Sequence, residues 1–191
     1  MKELWVARHG ETEWSKTGRH TGVTDVLLTD QGVRQAEALG KRLRDIHFDL
    51  VLTSPLSRAR TTAEVAGFQD YETSDDLVEF NYGSYEGVTT ADITRERPGW
   101  NLWRDGCPDG ETPDQVAQRV DRVLERVLPV SGRVLVVGHG HTCRILAARF
   151  IGLPGGEGGL FAFDVASLSL LGYEHERPVL LFWNETPKAR T

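Results

Sequence analysis

The stretch Arg133-Val134-Leu135-Val136-Val137-Gly138-His139-Gly140-His141 joins an apolar strand to a turn that carries two histidines. Residues 134–137 are all apolar, so both faces of this strand are expected to be buried, as in the centre of a parallel sheet. Two earlier apolar runs, 4–7 and 50–52, also have the length of strands, and helical patterns lie between the runs. This alternation predicts an α/β fold with three layers, in which helices cover both faces of a mostly parallel sheet.

Capping residues and apolar periodicity place the helices between these strands. Helices are predicted from Thr29-Asp30 to about residue 46, over about 56–66, from Thr112-Pro113 onward, and over about 142–151. Residues 155–159 are predicted to form a flexible glycine-rich loop, and 160–172 and 179–183 the last strands. Because no repeat, linker or low-complexity segment interrupts the chain, the sequence predicts one domain over residues 1–191.

The composition excludes several classes of protein. The 191 residues include 22 Lys and Arg against 28 Asp and Glu, a net charge of −6, and 39% are hydrophobic. This balance argues against a disordered chain and against nucleic-acid binding, and the apolar runs are too short to cross a membrane. Residues 1–6 lead into a strand without the pattern of a signal peptide, and Cys107 and Cys143 do not make a disulfide framework. A cytoplasmic protein with reduced thiols is therefore expected.

Three of the predicted strands end in turns with cationic or imidazole side chains, at 8–12, 53–58 and 138–141. Parallel strands bring such turns to one edge of the sheet, and the side chains expected to meet there are Arg8, His9, Arg58 and His139. Arginine binds phosphate oxygens, and a neutral imidazole is a nucleophile that can form a covalent phosphohistidine. A helix N-terminus after Gly140 would add N–H groups for an anion, and a carboxyl with a raised pKa would protonate the leaving oxygen. Such a site needs no metal ion and no other cofactor.

These motifs resemble those of the histidine phosphatase superfamily, the phosphoglycerate-mutase-like proteins. The resemblance rests on Arg8-His9-Gly10-Glu11-Thr12, on Arg58 after Thr53-Ser54-Pro55, and on Gly138-His139-Gly140, in that order. It implies a phosphoglycerate mutase-like fold, with His9 as the phosphorylated nucleophile and Glu79, which precedes Tyr82-Gly83, as the acid and base. It also implies that the phosphoryl group is bound by Arg8, Arg58 and His139.

Finer features are similar to the sedoheptulose-bisphosphatase-like and acid-phosphatase-like branch, namely the stretches 13–18, 100–112 and 138–141. The substrate-binding residues that this resemblance implies are Ser15, Thr21, Gly22, Gly140, His141 and Arg144. Lys16 and His20 on the first loop are further candidates. Glu86 is interpreted as a structural or rim group, and Trp100 and Trp103 as residues of a lid or of the core.

The predicted function is metal-independent hydrolysis of small phosphomonoesters through phospho-His9. Sugar phosphates or bisphosphates, or a broader acid-phosphatase range, are the expected substrates, so the expected partner is a small phosphorylated metabolite. Two alternatives stay open. A phosphoglycerate mutase would use the same phosphohistidine, although this compact chain has fewer insertions to shield the intermediate from water. A non-catalytic phosphate-binding regulator would need neither the nucleophile nor the acid. Pairing of edge strands would allow a homodimer.

Overall fold

The computed structural model describes residues 3–186 and contains a six-stranded sheet. Its strands are β1 (Glu3–Arg8), β2 (Leu50–Thr53), β3 (Glu72–Thr73), β4 (Arg133–Gly138), β5 (Leu168–Glu174) and β6 (Arg177–Glu185). They lie in the order β3-β2-β4-β1-β5-β6, in which the first four are parallel and β5 and β6 are antiparallel to their neighbours. The mostly parallel sheet and the central position of β4 are thus confirmed.

Helices cover both faces of this sheet and complete the three-layer α/β fold. In the described residues they are α1 (Glu13–Thr17), α2 (Asp30–Leu43), α3 (Ser57–Val65), α4 (Thr90–Glu96), α5 (Leu102–Asp105), α6 (Pro113–Val127) and α7 (Gly140–Phe150). Val134 and Val136 pack with α6 and α7 on one face, whereas Leu135 and Val137 pack with α2 and α3 on the other. Alternate residues of β4 therefore enter separate apolar cores, as its unbroken apolar run predicts.

The helices begin close to the predicted capping residues. The side chains of Thr29 and Thr112 each accept a backbone hydrogen bond at the starts of α2 and α6. The predicted boundaries of two other helix ends are wrong by a few residues. α2 ends at Leu43 rather than near residue 46, and α7 begins at Gly140 rather than 142, with His139 as its N-cap.

The segment predicted as a flexible glycine-rich loop is instead a packed 3-10 helix, Gly155–Leu160. It contacts α5, α6 and α7. A Cβ on Gly158 would lie 2.9 Å from the Trp103 ring and 3.1 Å from the Arg144 backbone. The prediction was wrong because these glycines serve close packing here rather than flexibility.

The strand predicted from residue 160 is shorter, since β5 begins only at Leu168. Residues 161–167 instead contact the turn after β1, where the Phe163 carbonyl accepts a hydrogen bond from Arg8 and the Ala166 N–H donates to the His9 carbonyl. β6 is longer than the predicted 179–183, and the short elements β3 and α1 were not predicted.

The sequence predicts that residues 1–6 lead into a strand and that one domain spans residues 1–191. Residues 1–2 and 187–191 lie outside the described residues. Between residues 3 and 186, no helix is both long enough and apolar enough to cross a membrane.

Candidate active site

The carboxyl ends of β1, β2 and β4 lie side by side, so the three turns that were predicted to carry the chemistry meet at one edge. In the sheet register Arg8 pairs with Gly138, and β2 ends beside β4. The rings of His9 and His139, which follow β1 and β4, have centroids 5.2 Å apart. Residues that are distant in sequence are therefore neighbours, as the parallel sheet predicts.

His9 is held so that one ring nitrogen is free to attack. Its Nδ1–H donates to the Gly10 carbonyl at 2.7 Å, which leaves a lone pair on Nε2. The ring is buried, and burial together with the guanidinium groups of Arg8 and Arg58 lowers the pKa of His9 to about 3. The imidazole is therefore neutral near pH 7, which is the form that acts as a nucleophile.

Arg8 places a cationic donor beside His9. Its Nη1 donates to the Phe163 carbonyl, whereas its buried Nε makes no hydrogen bond to any described residue. A buried polar group of this kind normally has a partner, so this atom points to an anion site. Gly140 allows the approach, because a Cβ at that position would lie 3.2 Å from Arg8 Cζ.

Arg58 and His139 are fully buried behind His9. The Arg58 guanidinium donates to His139 Nδ1 at 3.2 Å and to the carbonyl oxygens of Thr21, Gly22 and Thr24. His139 Nε2–H donates to Ser54 Oγ at 2.7 Å, and burial and Arg58 hold the pKa of His139 well below its usual value. Both residues thus support the site from within the protein, and their role as phosphoryl ligands stays a prediction.

Glu79 is a buried carboxylate at the N-terminus of α7. It accepts hydrogen bonds at 2.8–3.0 Å from the backbone N–H groups of Phe80, His141 and Thr142. Burial alone would raise its pKa, but His141 and these three donors outweigh burial and lower the pKa to about 2. The expectation of a carboxyl with a raised pKa is therefore wrong for this arrangement. Two N–H groups of the helix terminus that was expected to bind the substrate bind this carboxylate instead.

Arg119 lies behind Glu79 and was not predicted as a site residue. Its guanidinium binds both carboxylate oxygens of Glu111, at 2.8 and 3.0 Å. It also donates to three backbone carbonyls, those of Asp76, Val78 and Glu79. Glu111 in turn accepts from the Asn81 N–H at 2.8 Å. This buried ion pair therefore fixes the backbone on both sides of Glu79.

The loop after α1 is held in place by Glu86. The Glu86 carboxylate accepts hydrogen bonds from the N–H groups of Gly22 and Thr24, at 2.9 and 3.1 Å, which confirms the structural interpretation of Glu86. Ser15 forms a capping box with Thr12 at the start of α1, so its hydroxyl is already bonded to the backbone. Lys16 is exposed on the same helix.

A cavity of about 210 Å³ lies beside His9. The predicted site residues that line it are Arg8, His9, Ser15, His20, Thr21, Glu79 and His141. The predicted residues outside its lining are Lys16, Gly22, Arg58, His139, Gly140 and Arg144. Four further residues line the cavity and were not predicted as site residues: Gly18, Arg19, Tyr82 and Thr90. Over residues 3–186, no three His, Cys, Asp or Glu side chains are grouped to hold a metal ion.

A second cavity of about 190 Å³ adjoins the first and shares His20, Thr90 and His141 with it. Its remaining lining residues are Trp100, Asn101, Leu102 and Trp103. Trp100 is buried and donates its indole N–H to the Gly106 carbonyl at 2.9 Å, which confirms its packing role.

Arg144 lines neither cavity. Its guanidinium donates to the carbonyls of Gly158 and Gly159, at 3.0 and 3.1 Å, and its Cζ lies 4.2 Å from the centroid of the Trp103 ring. In this position it holds the 3-10 helix against Trp103. A substrate contact by Arg144 stays a prediction that would require this side chain to move.

Comparisons with known proteins cover nearly the whole described chain. Residues 4–186 match the family model described as the histidine phosphatase superfamily, branch 1. An acid phosphatase of Mycobacterium tuberculosis is 45% identical over 176 residues, which cover 90% of this chain and 87% of that protein. A sedoheptulose 1,7-bisphosphatase of Saccharomyces cerevisiae is 36% identical over 182 residues, covering 78% and 67%. The solved structure of the open reading frame Rv3214 of M. tuberculosis has a TM-score of 0.93 at 42% identity, over 97% of this chain and 98% of that one.

Proposed function

Because this chain belongs to the histidine phosphatase superfamily and is a phosphatase, we propose that it hydrolyses small phosphomonoesters through a covalent phosphohistidine at His9. One observation carries the proposal. His9, whose neutral ring has a free Nε2, lines a single cavity together with the guanidinium residue Arg8 and the carboxylate residue Glu79. A nucleophile, a cation and a proton carrier are what transfer of a phosphoryl group to an imidazole needs.

In the first step, His9 Nε2 attacks phosphorus, so that an N–P bond forms and the P–O bond of the ester breaks. The electron pair of the broken bond stays on the leaving oxygen, which takes a proton from Glu79. The Nδ1–H of His9 continues to donate to the Gly10 carbonyl and stabilises the positive charge that the ring acquires. Arg8 offsets the negative charge of the phosphoryl oxygens.

Glu79 has to gain a proton before it can donate one, because its pKa is about 2. A phosphate group bound in the same cavity adds negative charge near this carboxylate, and a nearby like charge raises the pKa of a carboxyl group. A substrate that enters as a monoanion also brings a proton with it. Substrate binding therefore shifts Glu79 towards its acid form.

In the second step, Glu79 is again a carboxylate and takes a proton from a water molecule. The resulting hydroxide attacks phosphorus, the N–P bond breaks, and its electron pair returns to His9 Nε2, which leaves a neutral imidazole and free phosphate. A mutase would instead return the phosphoryl group to another oxygen of the same organic product. The names of the acid phosphatase and bisphosphatase relatives support transfer to water.

The proposal includes a cytoplasmic location. Cys107 and Cys143 are both free and buried in the described structure, which suits a reducing compartment.

The test is trapping of the phosphorylated enzyme together with release of phosphate, with EDTA present throughout. p-Nitrophenyl phosphate and glycerol 1-phosphate are the substrates for release, and a labelled phosphomonoester followed by rapid quenching reports covalent phosphate. We expect phosphate release and an acid-labile, base-stable label on the wild-type enzyme. His9→Asn retains a donor for the Gly10 carbonyl but lacks Nε2, so both signals should disappear.

His47→Asn is the matched control, because His47 is exposed before β2, at the opposite edge of the sheet. It should retain both signals. Full turnover by His9→Asn, or release without any label on histidine, would overturn the proposed nucleophile. Conversion of 3-phosphoglycerate to its 2-isomer without release of phosphate would favour the mutase alternative.

A further inference from the structure

Two imidazoles, those of His20 and His141, line both the cavity beside His9 and the adjoining second cavity. Their ring centroids are 6.3 Å apart, and both rings pack against Tyr82. A leaving group that extends from a phosphate at His9 into the second cavity has to pass these two rings. Their hydrogen-bonding atoms therefore determine which leaving groups fit.

His20 presents an acceptor. Its Nδ1 lies 2.8 Å from the Val88 carbonyl, and because a carbonyl can only accept, the proton is on Nδ1. Burial lowers the pKa of His20, so the ring is neutral near pH 7 and its Nε2 carries a lone pair. This Nε2 has Thr90 Oγ1 at 3.5 Å, a weak contact that leaves it free for a stronger donor.

His141 presents a donor. Its Nδ1 lies 2.6 Å from the hydroxyl of Tyr82, which is buried and has no other hydrogen-bond partner among the described residues. A buried phenol donates its proton to the available acceptor, so Nδ1 accepts and the proton of the neutral ring is on Nε2. Burial lowers the pKa of His141 to about 3, which keeps the ring neutral.

We propose, resting on the proposed phosphatase function, that His20 and His141 select leaving groups that carry hydroxyl groups close to the ester oxygen. A hydroxyl, or a pair of adjacent hydroxyls, donates to His20 Nε2 and accepts from His141 Nε2–H. A carboxylate or a second phosphate dianion only accepts, and therefore places its lone pairs against that of His20. An alkyl chain leaves both imidazole atoms without partners, which is costly once water is excluded.

The walls of the second cavity fit the same class of ligand. Asn101 and Thr90 add uncharged polar groups, and Trp100, Leu102 and Trp103 add apolar surface. Arg19 lines only the first cavity and is exposed, and Arg144 is bonded to backbone carbonyls. Uncharged polar groups next to aromatic rings suit the monophosphates of polyols and sugars better than bisphosphates or phosphorylated carboxylic acids.

A matched series of three-carbon monoesters tests this selection: propyl phosphate, glycerol 1-phosphate and 3-phosphoglycerate. All three are primary alkyl phosphates that release an aliphatic alcohol after protonation by the same acid, so ratios of kcat/KM report mainly the contacts of the leaving group. We expect glycerol 1-phosphate to exceed propyl phosphate by about tenfold or more, since each net hydrogen bond contributes up to about tenfold. 3-Phosphoglycerate should fall below glycerol 1-phosphate by a similar factor.

Two variants assign this preference to the two rings. His20→Asn keeps a donor for the Val88 carbonyl and removes the Nε2 acceptor, while His141→Asn keeps an acceptor for the Tyr82 hydroxyl and removes the Nε2–H. Each should lower the ratio of glycerol 1-phosphate to propyl phosphate by about three- to tenfold. His47→Asn, the same substitution at an exposed site, should leave the ratio unchanged.

p-Nitrophenyl phosphate separates failure of this inference from failure of the proposed function. If the wild-type enzyme hydrolyses that ester but shows a ratio near 1, or prefers 3-phosphoglycerate, the hydroxyl selection is overturned and the phosphatase remains. An unchanged ratio in both asparagine variants would likewise overturn it. If no monoester is hydrolysed, the proposed function fails and the inference fails with it.

Discussion

Removing the Arg119 side chain should both destabilise the fold and misplace the acid. In the variant Arg119→Met, the Glu111 carboxylate loses its bidentate partner and three backbone carbonyls before and at Glu79 lose a donor. The Arg119 side chain is 8% exposed and that of Glu111 is 21% exposed, so water can replace few of the lost hydrogen bonds. Glu79 would keep its donors from α7 but lose the support of its own backbone.

The expected size of the stability effect follows from this burial. Breaking a buried ion pair by removing one partner costs about 3–5 kcal/mol. For a chain of this length, 1 kcal/mol corresponds to a Tm change of about 2–4 °C, so the Tm should fall by about 6–20 °C. Domains of this kind have unfolding free energies of about 5–15 kcal/mol, so a wild-type value above the lower end of this range leaves the variant folded near room temperature. Arg119→Lys keeps the charge without the planar fork and should give an intermediate result.

The assay combines thermal unfolding with hydrolysis of two substrates at a temperature where each variant is folded. A misplaced acid slows an alkyl ester, whose leaving oxygen needs a proton, more than p-nitrophenyl phosphate, whose leaving group does not. Arg122→Met is the matched control on the same helix. Its side chain is 58% exposed and that of its partner Asp76 is 30% exposed, and an ion pair open to solvent contributes at most about 1 kcal/mol. A Tm within 2 °C of the wild type, on the order of 1 kcal/mol, would refute the stability argument. Equal losses of kcat/KM, which reports the first step alone, for glycerol 1-phosphate and the aryl ester would refute the positioning argument.

Three further predictions concern the site itself. Glu79→Gln should lower kcat/KM, which reports phosphoryl transfer to His9 and not the later attack of water, by about 10²–10⁴-fold for glycerol 1-phosphate and far less for p-nitrophenyl phosphate. Equal losses of kcat/KM in a parallel assay would point to another acid. Because the pKa of His9 falls from 6.5 in the unfolded chain to about 3 in the folded protein, the unfolded chain binds the proton first as the pH drops. The unfolding free energy should therefore decrease between about pH 6.5 and 3, by about 2 kcal/mol at pH 5 from His9 alone. Denaturant unfolding at pH 7 and 5 should show a smaller decrease for His9→Asn, and identical decreases would contradict the assignment. Gly22→Ala would place a Cβ 2.5 Å from the Phe80 carbonyl and 2.7 Å from Glu86 Oε2. The loop should therefore shift, and kcat/KM should fall by about tenfold or more, on the order of 1.4 kcal/mol. Wild-type activity and Tm would show that the loop tolerates the methyl group.

The sheet could be predicted because its central strand carries an unambiguous pattern. Four apolar residues in β4 require burial on both faces, and that requirement fixes the layers and the edge at which the turns meet. β3 could not be predicted, because Glu72-Thr73 is exposed and has neither the length nor the apolar pattern of a strand. The helix α1 did have a signal, since Thr12 and Ser15 have the spacing of a capping box.

The components of the site were predictable by residue type, but their contacts were not. The role of Arg119 did have a signal in the sequence. Arg119 lies on the apolar face of α6, three residues after Val116 and four before Val123, and an arginine at such a position needs a buried partner. The low pKa of Glu79 had no signal in the sequence. Its donors at 141 and 142 are supplied by a helix more than 60 residues later, so only the packing of α7 reveals them.

The use of the α7 terminus for Glu79 changes how charge is balanced when the substrate binds. Arg8 and Arg58 are cations, Glu79 is an anion, and His9 and His139 are neutral, so the buried cluster has a charge of +1 before binding. A phosphate monoanion neutralises that charge, whereas a dianion would leave the buried cluster at −1, which a low-dielectric site disfavours unless a proton is taken up. Glu79 is the one anionic residue of this cluster and can accept that proton. The proton that neutralises the cluster is therefore the proton that Glu79 donates to the leaving oxygen. Glu79 thus needs no raised pKa before the substrate binds, and its hydrogen bonds to the N-terminus of α7 need not break.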